Sequence, residues 1–160
     1  LVLLLVQILL ALRPKVFMQV LGTAALLRWH RANGVVLAGC ALVHVVLVLA
    51  PEGFENLPLG WKFWPELLGA FALLCLLATV TLSWWRSALH LPYQGWRLLH
   101  RVVGYLLPVL LTAHVLFVSE SFAGGLPRLV LLVGMVLFYL LVALMRMRRG
   151  RATPTTRRSL

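Results

Sequence analysis

The chain has 160 residues, of which 62% are hydrophobic and 12% charged, with a mean hydropathy of +0.96. That proportion is more than a soluble domain of this length can bury, and it excludes intrinsic disorder; two cysteines, Cys40 and Cys75, each inside an apolar run, exclude a disulfide-stapled secreted scaffold. The formal charge of +11 lies in short basic clusters between apolar runs, the pattern of topology signals in a membrane lipid bilayer, with no nucleic acid implied.

The class that remains is all-α: a polytopic membrane helix bundle with four full spans and a truncated N-terminal helix. No Met opens the chain, and residues 1–12 lack the basic region and cleavage site of a signal peptide. At roughly 18 Å of helix this segment is too short for a ~30 Å hydrocarbon core. It is expected to be the end of a helix whose beginning is missing, in a chain that is a fragment. Arg13-Pro14-Lys15 closes it, and the segment 16–27, boxed in by Lys15 and Arg28, is expected to lie along the interface.

Spans are expected at about 32–50, 67–85, 102–119 and 129–145, so that residues 1–145 form one transmembrane domain. The connectors are a polar loop from Pro51 to Pro65 with Trp61 and Trp64 as interface anchors, a second from Arg86 to Gly95, and a third from Ser119 to Pro127. Pro108 falls inside the third span, where a bundle tolerates a kink. His90 is expected to be an interface residue, and the basic tail 146–160 a mobile cytoplasmic linker.

Alternating these segments places 13 of the 15 Lys and Arg residues on one side. The other side holds Lys62 and Arg128 with all four acids, Glu52, Glu55, Glu66 and Glu120. Lys and Arg accumulate on the cytoplasmic side, which predicts a cytoplasmic C-terminus.

Four histidines stand at or within the spans. His30 and His44 lie 14 residues apart, as do His100 and His114. Fourteen residues fall about 40° short of four turns with a rise of ~21 Å, so each pair shares a helix face. The segments also match internally: His30 and His100 are each followed by Arg (Arg31, Arg101), then by Gly at the fourth position (Gly34, Gly104), then by the second His ten residues on. With one span between them the two helices run parallel, which levels His30 with His100 and His44 with His114.

Facing imidazoles at two depths are what bis-histidine ligation of two haems needs, stacked between these parallel helices. Gly34 and Gly104 would let a macrocycle approach the backbone, and Arg28, Arg31, Arg97 and Arg101 could neutralise propionates. The plainer readings are that membrane histidines pack or hydrogen-bond, and that these arginines are topology determinants. A bare ion shared along one helix is excluded by the ~21 Å separation.

Arg28-Trp29-His30-Arg31-x-x-Gly34 with His44, and Tyr93-x-x-Trp96-x-x-x-His100 with His114, resemble the ferric reductase-like transmembrane domain shared by ferric reductases, NADPH oxidases and bacterial flavocytochrome relatives. The Leu-Pro-Tyr-x-x-Trp-x-x-x-His form looks most like the bacterial branch, which implies an inner-membrane location. The resemblance implies that His30/His100 and His44/His114 hold two b-type haems. It implies a cytoplasmic module or partner protein carrying FAD and using NAD(P)H as electron source, and an acceptor such as ferric ion or dioxygen on the far side. No Gly-rich dinucleotide fingerprint or flavin motif occurs before Leu160, so the chain is expected to be the electron-carrying component of an oxidoreductase without that module. Two alternatives stay open: a haem-binding subunit feeding a periplasmic reductase, and a non-redox polytopic membrane protein. Against the latter, the intramembrane acids typical of proton relays are missing.

Overall fold

The structure is a computed structural model that describes residues 1–52 and 60–151. Apart from short 3-10 turns at Trp61–Phe63 and Glu120–Phe122, its ordered elements are five α-helices: α1 (Val2–Leu12), α2 (Lys15–Glu52), α3 (Trp64–Trp85), α4 (Tyr93–Val118) and α5 (Gly125–Arg151). Four segments are long and apolar enough to cross a membrane, Lys15–Pro51, Trp61–Trp85, Tyr93–Val118 and Gly125–Arg148. The part of the expected linker tail beyond Arg151, and loop residues 53–59, lie outside the described residues.

The short first helix is at the centre of the bundle. Leu4, Ile8 and Leu12 recur every fourth residue along one stripe of α1, and all three are buried. Leu4 joins Leu37, Ala72, Leu76 and Leu107, one layer drawn from α1 to α4. Ile8 and Leu12 pack with Phe138 and Val142 of α5. The opposite faces of the long helices expose Val, Leu and Phe, as lipid-facing surfaces do.

Chain breaks occur where the backbone chemistry permits them. Arg13 takes a left-handed conformation (φ 46°, ψ 65°) that ends α1, its N–H bonding the Leu10 carbonyl ahead of Pro14. Within α2 the only non-helical residue is Gly22 (φ 75°, ψ 158°), a conformation that a Cβ disfavours. The bend thus lies at Gly22. The expected interfacial segment 16–27 straddles it, and its last part is continuous with the long helix, where Leu26 is fully buried.

The α3–α4 turn closes with Leu91 N–H on the Arg86 carbonyl and His90 N–H on the Ser87 carbonyl. These are the two bonds of a Schellman cap, with His90 (φ 49°) where glycine is usual and Pro92 following. His90 is a turn residue, which is its role in the fold.

Helices run past the apolar windows that mark them in the sequence. α4 begins at Tyr93, not near Val102, and carries Trp96, Arg97, His100 and Arg101 on its first turns. It continues through Pro108, which has no N–H to give the Gly104 carbonyl, and Thr112 Oγ1 donates to the Pro108 carbonyl at 2.7 Å. α2 and α4 therefore rise in the same direction from the end rich in arginine, and both pack against α1 and α3, which run antiparallel to them.

Candidate functional site

Two histidines from different helices meet. His30 of α2 and His100 of α4 present their rings with centroids 6.0 Å apart and planes at 62°. Each ring is held by a neighbouring helix. His30 Nδ1 lies 3.2 Å from the Gln7 carbonyl of α1, and since a carbonyl only accepts, Nδ1 carries the proton. His100 Nδ1 lies 3.2 Å from Ser83 Oγ of α3. That hydroxyl gives its own proton to the Thr79 carbonyl at 2.6 Å, so it accepts from His100 Nδ1–H.

With Nδ1 carrying the proton, Nε2 is the lone-pair nitrogen of both rings, the kind of donor that a metal takes; in His30 that nitrogen faces the Gln7 amide. Two imidazoles bound on opposite faces of one metal by bonds of about 2 Å have centroids roughly 6 Å apart. The inner pair fits that spacing. Among the described residues no three His, Cys, Asp or Glu side chains gather as a bare ion would need.

Gln7 does more than accept from His30. Its amide Nε2 donates to the His30 carbonyl at 2.9 Å and stands 3.4 Å from His30 Nε2. Its Oε1 takes Asn33 Nδ2 at 2.7 Å, and Asn33 also reaches the Leu3 carbonyl at 3.0 Å. The sequence reading did not single out Gln7, Asn33 or Ser83. The available signal was that Gln7 is the only polar residue of α1.

The outer pair is arranged differently. His114 Nδ1 donates to the Pro65 carbonyl at 2.8 Å, which again leaves Nε2 free. Its ring lies flat on α3 at Gly69, where an added Cβ would come within 2.5 Å of the ring's Cε1. His44 is exposed on α2, beside Cys40 in a shallow apolar groove with Val36, Gly39, Val43 and Leu47. No hydrogen bond or ring contact joins His44 to His114 among the described residues.

The glycines and arginines named from the sequence divide in the same way. Gly34 is covered by Gln7, whose Nε2 would lie 3.1 Å from an added Cβ, whereas Gly104 faces open space. Arg28, Arg31, Arg97 and Arg101 are exposed, with Arg97 set over the Tyr93 ring at 5.8 Å. Arg86, which the sequence reading left in a connector, lies over both the Tyr93 and Trp96 rings at 5.5 and 5.4 Å.

A family model described as the ferric reductase like transmembrane component matches residues 1–111. The chain belongs to this family. Membership makes it an integral membrane protein and suggests a component of a membrane oxidoreductase. The ferric reductase-like match includes His30, His44 and His100 and stops short of His114. No curated protein and no solved structure matches the chain.

Proposed function

We propose that the chain is a transmembrane electron-transfer domain that holds haem b between His30 and His100 and passes electrons from a cytoplasmic NAD(P)H–flavin donor towards an acceptor across the membrane, such as ferric ion or dioxygen. The observation that carries this reading is the inner pair. Its rings come from two residues 70 apart in sequence on different helices, stand at a separation suited to one metal between them, and are fixed through Nδ1 by α1 and α3 respectively.

When bound, haem with two histidine ligands supplies one-electron iron chemistry without an open coordination site. The protein's own residues supply the rest. Gln7 and Ser83 fix the tautomer and direction of the two imidazoles, which raises their basicity as ligands. The layer of Leu4, Leu37, Ala72, Leu76 and Leu107 lies midway between the histidine levels, Leu37 and Leu107 each being seven residues from both histidines of their helix. It keeps water and protons from following the electron. Arg31 and Arg101, at the basic end, provide counter-charge for carboxylates of the bound group.

A second haem between His44 and His114 belongs to this reading as the two-haem form. The exposed position of His44 on α2, with His114 seated against Gly69 of α3, favours the alternative, a one-haem subunit that feeds a periplasmic reductase. The absorption spectrum and haem-to-protein ratio of the purified chain test both. Two b haems per chain support the two-haem form, one supports the alternative, and a colourless protein refutes the proposal. With His100→Ala the inner haem is expected to be lost; with His44→Ala only the outer one, and retention of all haem in both variants would reject the pairing.

A further inference from the structure

A row of rings leads from the surface to the inner histidines. Tyr93 and Trp96 stand 5.9 Å apart with planes at 36°, Trp96 and His100 are 5.2 Å apart at 34°, and His100 meets His30 at 6.0 Å. Positions 93, 96 and 100 follow the three- and four-residue steps of one helix face, so α4 stacks them by its own geometry. Tyr93 is 54% exposed at the outer end of the row, while Trp96 and His100 are half-buried.

Two cations stand at that exposed end. Arg86, from the turn that precedes α4, bridges the Tyr93 and Trp96 rings at 5.5 and 5.4 Å, and Arg97 covers Tyr93 at 5.8 Å. Cation–ring contacts at such distances hold the ladder in register, and the same guanidinium planes attract phosphates and planar anions. A clustered positive potential also raises the encounter rate of an anionic partner. Electron tunnelling falls steeply across gaps and saturated chains, and contiguous conjugated rings shorten the effective gap.

We infer that Tyr93, Trp96 and His100 are the entry route by which an electron reaches the inner histidine pair from a phosphate-bearing reduced flavin docked at Arg86 and Arg97. This rests on the haem reading above. With haem bound by His30 and His100, one electron from the reduced flavin would convert the ferric iron to ferrous. The flavin releases its proton to water at the membrane surface, and no bond in the chain forms or breaks. Trp96 and Tyr93 act as positioning and bridging residues, without being oxidised in a lasting way.

The full chain, purified with its haem in nanodiscs, is mixed without oxygen in a stopped-flow instrument with photoreduced FMN. The Trp96→Leu chain is expected to keep its haem content, visible spectrum, midpoint potential and complete reduction by dithionite, yet to lose the fast phase of reduction by FMN. The Trp96→Phe chain, which keeps a ring, is expected to recover that phase. An Arg86→Gln, Arg97→Gln chain is expected to react with FMN roughly tenfold more slowly at low ionic strength, with the difference shrinking as salt rises. Tyr93→Leu, which leaves Trp96 on His100, carries the same test should Trp96→Leu fail to fold. Parent-like FMN kinetics in Trp96→Leu or Tyr93→Leu with the haem intact would overturn the route alone. A parent chain that purifies without haem overturns both the route and the function on which it rests.

Discussion

Gln7 shows how much one polar side chain contributes in an apolar helix. Through its carbonyl, amide nitrogen and amide oxygen it binds His30 and Asn33, so α1 is tied to α2 at the level of the candidate site. Interhelical hydrogen bonds in membranes contribute about 0.6 kcal/mol on average and up to roughly 2 kcal/mol. Gln7→Leu is therefore expected to lower the unfolding free energy of the detergent-solubilised chain by an amount in that range. Asn33→Leu added to it should cost less than it does alone, because both belong to one network. Strict additivity in that double-mutant cycle would show that the two side chains do not cooperate.

Two glycines give opposite expectations at the same scale. An alanine at Gly69 would drive its Cβ into the His114 ring, and since ring and helix backbone are both packed, the cost is expected to be about 1–3 kcal/mol in unfolding measurements. An alanine at Gly104 meets nothing, so the fold should tolerate it. Its effect belongs to the bound group. Haem content is expected to fall in Gly104→Ala while the helical circular dichroism and thermal midpoint stay near the parent's. Undiminished haem loading would place the macrocycle elsewhere.

At the scale of elements, hydropathy located the helices but not their ends. An apolar window stops at the first charge, so the third span was expected to begin beyond Arg101, whereas the backbone stays helical from Tyr93. The histidine spacing was legible because both histidines of each pair lie on one helix face. The supporting contacts of Gln7, Ser83 and Gly69 were not legible, since each depends on which helix lies alongside, and a single apolar pattern does not encode a neighbour. The ring ladder was hidden for a simpler reason: Tyr93 and Arg86 fell in the expected connector, and the third span was expected to begin only beyond Trp96 and His100, so no helix was expected to stack them.

Backbone conformation at two element ends can be tested directly. Gly22→Ala forces a side chain into a positive φ and is expected to destabilise by about 1–2 kcal/mol. His90→Gly relieves the same strain at the Schellman turn and is expected to stabilise by up to about 1 kcal/mol. Both are measured by unfolding in the same detergent. A stabilising Gly22→Ala would mean that α2 straightens through that point.

At the scale of the whole molecule, the functional reading depends on which end of the bundle meets the cytoplasm. The ring ladder, the inner histidine pair and the charges of Arg28, Arg31, Arg86, Arg97 and Arg101 all lie at one end, and a cytoplasmic donor reaches them only if that end faces inward. The 13-to-2 division of Lys and Arg predicts that orientation independently of any redox argument, because basic residues in short connectors resist export. Ser87 lies in the turn at the basic end and Ser121 in the turn at the opposite end, and both are exposed. In a chain carrying Cys40→Ala and Cys75→Ala, a membrane-impermeant maleimide applied to intact cells is expected to label Ser121→Cys and to spare Ser87→Cys until the membrane is opened. The reverse pattern would put the arginine-rich end outside, where no NAD(P)H-fed flavin could reach Trp96, and the direction of electron flow proposed here would have to be abandoned even if both haems were present.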